Sequence, residues 1–266
     1  MQLVFGFVVL SSIILLSESR HTYYKRDHDN LGIIDGNVAS HKPQYLVNLQ
    51  RSNGVKSYPV CGGTLIARNL VLTAAHCLTK NSSLSVVAGL LYTDVPEVTD
   101  YRRKVIAQYM YPNWTDAVPN SDLGAVLLDE PFPMNIAEPT QLPTAVNAPA
   151  GAVVTEWGWG KTSNVSKSGS FSLMTAQATV VDCKKEAICL NGKACNGDSG
   201  SPLTATYGQN EYVIGLAVSV LLSGRCGSNT TTTGVTDYYA NITSDVFNDF
   251  KSNLDAWYKD SGYAML

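Results

Sequence analysis

The chain has 266 residues, 45% of them hydrophobic and 15% charged, enough apolar material for one large core or two small ones. Its net charge of −3 gives no electrostatic footprint for nucleic acid or an anionic membrane surface. Six cysteines, with no C-x-x-C pair and no histidine cluster, point to disulfides in an oxidising compartment and not to a metal centre.

The chain opens on LVFGFVVLSSIILL, an apolar run too short for a comfortable membrane span and followed at once by polar sequence. With small residues at Ser17 and Ser19, this predicts a secretory signal peptide over residues 1–19. Asn-x-Ser/Thr sequons at Asn81, Asn113, Asn164, Asn229 and Asn241 fit a glycosylated, secreted protein. Strands are predicted at 43–50, 63–75, 84–91, 102–111, 124–129, 152–160, 176–182 and 211–222, with Gly, Pro, Asn and Ser clusters between them. Many short strands at such spacing predict an all-β sandwich or barrel. The proline-rich stretch 130–151 reads as a connector between two β units. One helix is predicted, over about 244–259. Thr243 or Ser244 can cap it, and Val246, Phe250, Leu254 and Trp257 follow at helical spacing.

Chemistry concentrates in CNGDSGSP, which begins at Cys195. A serine hydroxyl is a poor nucleophile until a base, a group that holds the base, and donors for the developing oxyanion surround it. Ser199 lies in a turn where Gly197 and Gly200 let the backbone approach a substrate, and the N–H groups of Gly197 and Ser199 can face one oxygen. Beyond the first 32 residues the histidines are His41 and His76. His41 sits in a surface-loop context, whereas His76 follows an apolar strand in LTAAHC. Asp122, opening the apolar strand of NSDLGAVLLD, suits the orienting carboxylate; a strand-entry turn would use the same residue without chemistry.

LTAAHC, SDLGAVLL and NGDSGSPL, in the order His, Asp, Ser, resemble the motifs of chymotrypsin-family (trypsin-like) serine endopeptidases. IIDG from Ile33 and GWG from Gly158 match two further landmarks of that family, so the likeness runs from Ile33 to the C-terminal helix. The resemblance implies two packed antiparallel β-barrels with a C-terminal helix and an active site in the cleft between them. It implies a catalytic triad of His76, Asp122 and Ser199, an oxyanion hole from Gly197 and Ser199, and disulfides Cys61–Cys77, Cys183–Cys189 and Cys195–Cys226. It also implies a zymogen: residues 20–32 form a propeptide, 33–266 the peptidase domain, and a freed Ile33 amine pairs with Asp198. The expected partners are protein or peptide substrates and protease inhibitors. A monomer without cofactor, metal, nucleic acid or, after signal cleavage, membrane is expected. The alternative is a catalytically silent homologue acting as a secreted binding or inhibitor protein.

The departures from the family pattern bear on specificity. Lys193 takes the pocket-floor position that trypsin-like members give to an aspartate, with Ala194, Ser219 and Gly234 at wall positions. Either the lysine points inward and favours acidic side chains, or its stem carries the charge to water and leaves an apolar slot. The second is favoured, because an unpaired buried ammonium is costly. Both exclude Arg/Lys-specific cleavage.

Overall fold

The computed structural model describes residues 33–78, 83–92, 101–161, 169–183, 186–220, 226 and 235–262, with backbone alone at 219 and 220. The expected signal peptide and propeptide, the sequons at Asn81, Asn164 and Asn229, and Gly234 lie outside these residues.

Two β-barrels make up the domain. The first is built from β2 (Leu46–Ser52), β3 (Ser57–Ala67), β4 (Leu70–Thr73), β5 (Leu84–Val87), β6 (Arg102–Met110) and β7 (Gly124–Leu128). These close in the order β2-β3-β4-β7-β6-β5. The second holds β8 (Val153–Gly158), β9 (Met174–Val181), β10 (Ile188–Asn191), β11 (Pro202–Tyr207), β12 (Asn210–Val220) and β13 (Asp237–Asn241). The two-residue β1 (Asn37–Val38) adds to the edge of β9, and a β8–β9 pairing closes this sheet on itself. Every strand pairing among the described residues is antiparallel, and closure leaves few unpaired strand edges. The proline-rich segment after β7 carries no strand or helix and joins the barrels, as its composition suggests.

The apolar stretch 63–75 is not one strand but two. Ala67 pairs with Leu70, so Arg68 and Asn69 form a two-residue hairpin turn that interrupts an otherwise apolar run. Besides the two-residue β1, three strands escape the sequence reading. β10 has only four residues, one of them the disulfide-bonded Cys189, β11 starts on proline, and β13 carries Asp and Asn at its ends. Their extended form comes from the ladders on either side, not from their own pattern.

Helix α1 (Asp245–Asp260) is capped by Ser244, whose side chain accepts a hydrogen bond from Phe247 N at 3.2 Å. Its buried stripe is Phe247, Phe250, Leu254 and Tyr258, with Val246 and Trp257 on the flanks. The stripe lies on the first barrel. Phe250 meets the rings of Tyr109 and Tyr111 at 5.9 Å each, and Tyr258 donates to Asn69 at the β3–β4 turn. One apolar cluster joins these helix residues to Leu72 and Leu123 of the first barrel and Leu216 and Val218 of the second. Phe250→Ala should therefore lower unfolding free energy by about 3–5 kcal/mol, read from urea titrations. A loss below about 1 kcal/mol would show that the helix is not part of this core.

Candidate active site

His76 lies on a single 3₁₀ turn, Ala75–Cys77, directly after β4, and Asp122 ends another, Pro119–Ser121, directly before β7. β4 and β7 are paired with Thr73 opposite Gly124, so the ladder brings both residues to one end of the first barrel. Asp122 then holds His76 twice. Oδ1 accepts from the His76 backbone N at 2.9 Å, and Oδ2 contacts Nδ1 at 2.5 Å. With Nδ1 engaged by the carboxylate, Nε2 carries the free lone pair of the neutral ring. The Cys61–Cys77 disulfide fixes the turn, with Cys77 Sγ 3.9 Å from Nε2. Cys61, Cys77 and His76 cluster within metal-ligand range, but both sulfurs are spent on that disulfide. Disulfides Cys183–Cys189 and Cys195–Cys226 are also formed, so the three pairs are those the resemblance implies.

Ser199 comes from the second barrel, in the loop between β10 and β11. Its turn is held by Asp198 N to Cys195 O and Ser201 N to Asp198 O, each 3.0 Å. The first barrel clamps it through Gly62 N to Ser199 O at 2.7 Å. A Cβ at Gly62 would overlap Ser201 Oγ, and one at Gly200, whose φ is +77°, would overlap Thr73 Oγ1. These two glycines let the barrels approach closely enough to put Ser199 beside His76.

Ser199 and His76 line a common cavity of ≈ 170 Å³, with Ala194, Ala217, Val218 and Tyr238 among its walls. No hydrogen bond joins Ser199 to His76 among the described residues, as is frequent before substrate binds. Lys161 N donates to Asn196 O at 2.8 Å. In a trans peptide that carbonyl and the Gly197 N–H point in opposite directions, so Gly197 N faces away from Lys161. Among the described residues neither Gly197 N nor Ser199 N donates to a protein group.

Asp198 is fully buried under this loop. Oδ1 accepts from Gly160 N at 2.6 Å and Oδ2 from Cys195 N at 2.8 Å. A Cβ at Gly158 would overlap the carboxylate, and one at Gly160 would lie 2.5 Å from it, which explains the two glycines of GWG. Burial pushes the Asp198 pKa up to about 7, against the two backbone donors. Ile33 is also buried, against Met174 and Ala176, and Ile34 N donates to Lys193 O at 2.9 Å. Ile33 has φ +48°, a left-handed conformation that a β-branched residue rarely adopts.

The expected specificity residues are arranged differently from one another. Ala194 is in the cavity wall. Lys193 is not. Its Nζ turns outward to Asp35 O at 3.2 Å, so the ammonium does not sit on the pocket floor. The physical reason is that a carbonyl near solvent solvates the ammonium at little cost. Ser219 pairs with Tyr238 through its backbone, across a bulge in β12, and the described wall residues from that strand are Ala217 and Val218. Of the two described sequons, Asn113 is exposed, whereas Asn241 is half-buried and accepts from Thr243 N and Oγ1.

A buried acidic cluster behind the cavity was not read from the sequence. Glu156, at 0% exposure, accepts from Tyr239 OH at 2.9 Å and from Lys193 N at 2.8 Å. Asp237, at 1% exposure, accepts from Ala194 N at 3.2 Å, and both acids flank Gly192. Desolvation and the Glu156 charge push the Asp237 pKa up to about 9, and desolvation raises Glu156 too. One signal was available: Glu156 occupies an inward position of β8, in phase with Val154.

A family model described as Trypsin matches residues 33–244. Chymotrypsin-like elastase family member 1 of Felis catus is 26% identical over 242 residues, covering 80% of this chain and 90% of its own. A chymase of Cavia porcellus is 32% identical over 180 residues, covering 61% and 72%. Brachyurin of Leptuca pugilator is 30% identical over 169 residues, covering 57% and 75%. With two closed barrels, a C-terminal helix and this match over most of its length, the chain belongs to the trypsin family and is a serine-type endopeptidase.

Proposed function

We propose that this endopeptidase is secreted as a glycosylated zymogen and cleaves peptide bonds with Ser199, His76 and Asp122. The observation that carries the reading is the double grip of Asp122 on His76 in the cavity that Ser199 shares. His76 Nε2 takes the hydroxyl proton as Ser199 Oγ attacks the scissile carbonyl carbon. The carbonyl π electrons move to oxygen, and Gly197 N and Ser199 N receive the oxyanion. Asp122 stabilises the imidazolium that forms. His76 then returns the proton to the leaving amine as the C–N bond breaks, and water repeats the sequence to release the acyl group. Peptide substrates and protein inhibitors would enter the same cleft. The protein acts as a monomer without cofactor or metal. No helix among the described residues is long and apolar enough to cross a membrane.

Activation follows from the buried Ile33 and Asp198. While the chain is continuous, Ile33 is held at positive φ and Asp198 lacks a cationic partner among its hydrogen bonds. Cutting between residues 32 and 33 removes the constraint on φ and frees an amine to pair with Asp198. The active enzyme should begin at Ile33, and full activity in a form beginning at Asp27 would refute this.

For specificity, an outward Lys193 keeps its charge off the slot, and Ala194, Ala217, Val218 and Tyr238 supply apolar wall that suits Tyr, Phe or Leu. It is not an Arg/Lys-specific pocket, because the acidic residue among its described walls, Asp198, has both oxygens engaged by backbone N–H groups. The test of the whole reading is a fluorophosphonate probe applied to the chain cut before Ile33. A single label on Ser199 is expected, and no label would support a silent binding homologue instead.

A further inference from the structure

Ser199 and His76 come from different barrels, so the distance between them depends on contacts across the seam. Thr73 is the last residue of β4, is fully buried, and takes no part in the chemistry above. Its hydroxyl donates to Gly62 O at 2.8 Å, and Gly62 N donates in turn to Ser199 O at 2.7 Å. Gly62 thus relays a side chain of the first barrel to the backbone of the nucleophile in the second. It has no slack on the far side, where a Cβ would overlap Ser201 Oγ. Thr73 also abuts the residue after the nucleophile. A Cβ at Gly200 would overlap Thr73 Oγ1 and fall 2.5 Å from Gly62 O and 3.2 Å from Ala74 N.

The same strand end is tied to the other two members of the triad. His76 follows Thr73 by three residues, on the 3₁₀ turn Ala75–Cys77. Across the β4–β7 ladder Thr73 lies opposite Gly124, two residues after Asp122. The backbone of Thr73 therefore sets His76 and Asp122, while its hydroxyl reaches towards Ser199. A methyl group in place of that hydroxyl would keep the packing and take a donor from Gly62 O in a buried seam.

We propose that Thr73 is a positioning residue that holds the Ser199 hydroxyl within reach of His76 Nε2, acting through Gly62. The proposal rests on the peptidase reading above and names a contact that aligns its two reacting side chains. Without the Thr73 hydroxyl, Gly62 and the Ser199 backbone bonded to it drift relative to the strand end that carries His76. A nucleophile misplaced by about 1 Å loses on the order of 10²-fold in rate, so a smaller drift lowers kcat by about 10- to 100-fold. Substrate binding is spared, because Ala194, Ala217 and Val218 of the cavity wall belong to the second barrel.

The test uses chain cut before Ile33, normalised by the end-point of fluorophosphonate labelling. Thr73→Val removes the hydroxyl and keeps the shape, Thr73→Ser keeps the hydroxyl and removes the methyl, and Thr73→Ala removes both. On a tyrosine amide peptide, kcat should fall about 10- to 100-fold in Thr73→Val and Thr73→Ala, with KM within about threefold. Thr73→Ser should stay within about threefold of the natural kcat, because its hydroxyl still donates. The rate of fluorophosphonate labelling should fall in step with kcat, since that reaction also needs His76 to take the Ser199 proton. A role in packing alone gives the opposite order, with Thr73→Val near the natural rate and Thr73→Ser slow, and would overturn the proposal. A loss carried by KM would overturn it too. Should Thr73→Val fail to fold, Thr73→Ser against Thr73→Ala reads the hydroxyl by itself, and kcat values within about twofold of each other would sink the idea. Protein of the natural sequence that never labels at Ser199 fails the peptidase reading instead, so the two failures are distinguishable.

Discussion

Ser199→Ala is expected to lower kcat by about 10⁴- to 10⁶-fold, the range general to Ser-His-Asp triads, with the protein still folded. The physical basis here is that Ser199 and His76 lie in one cavity but come from different barrels, so neither side chain supports the other's fold. His76→Ala should cost a similar factor, and the double variant should be hardly worse than either alone, because the two act in one step. Asp122→Asn should cost about 10⁴-fold, since an amide can present its N–H to Nδ1 and select the wrong tautomer. The measurement is hydrolysis of a tyrosine peptide by chain cut before Ile33, alongside urea unfolding to confirm the fold. Hydrolysis by purified Ser199→Ala at the rate of the natural sequence would refute the triad.

The uncut protein should be most stable in mild acid and lose stability as pH rises from about 4 towards 9. Most proteins behave in the opposite way at the acid end, because their paired carboxylates have depressed pKa values. Here Asp198, Asp237 and Glu156 are buried together, and burial raises all three, to about 7 for Asp198 and about 9 for Asp237. Between the unfolded pKa near 4 and the folded values, the native state holds protons that the unfolded chain has released. Stability therefore falls with pH across that interval. It is fully present below about pH 4 and lost as pH passes the folded pKa values. Asp198 alone accounts for on the order of 4 kcal/mol. Urea unfolding at pH 4, 6, 7 and 9 reads the slope directly. Asp198→Asn should make it shallower up to about pH 7, leaving the share of Asp237 and Glu156, and cutting before Ile33 should do the same by giving Asp198 an amine partner. Stability that climbs steadily over this range in the uncut protein would refute the argument.

Local features could be read from the residues alone because each depends on neighbours in the chain. The Gly-rich turn around Ser199, the cap and apolar stripe of α1, and the connector after β7 are of this kind. The motifs containing His76 and Asp122 are also local, but only the β4–β7 register puts them within 2.5 Å of each other. The hairpin at Arg68–Asn69 was hidden because its turn interrupts an otherwise apolar run, and β10, β11 and β13 because their neighbours impose their shape. The tertiary structure alone decided where polar side chains end. Lys193 occupies a pocket-floor position in the chain, yet its flexible stem finds Asp35 O outside, at lower cost than a buried unpaired charge. Glu156 and Asp237 are far apart in sequence and unremarkable singly. The closure of the second barrel around Gly192 brings them together, and burial then raises the pKa of both.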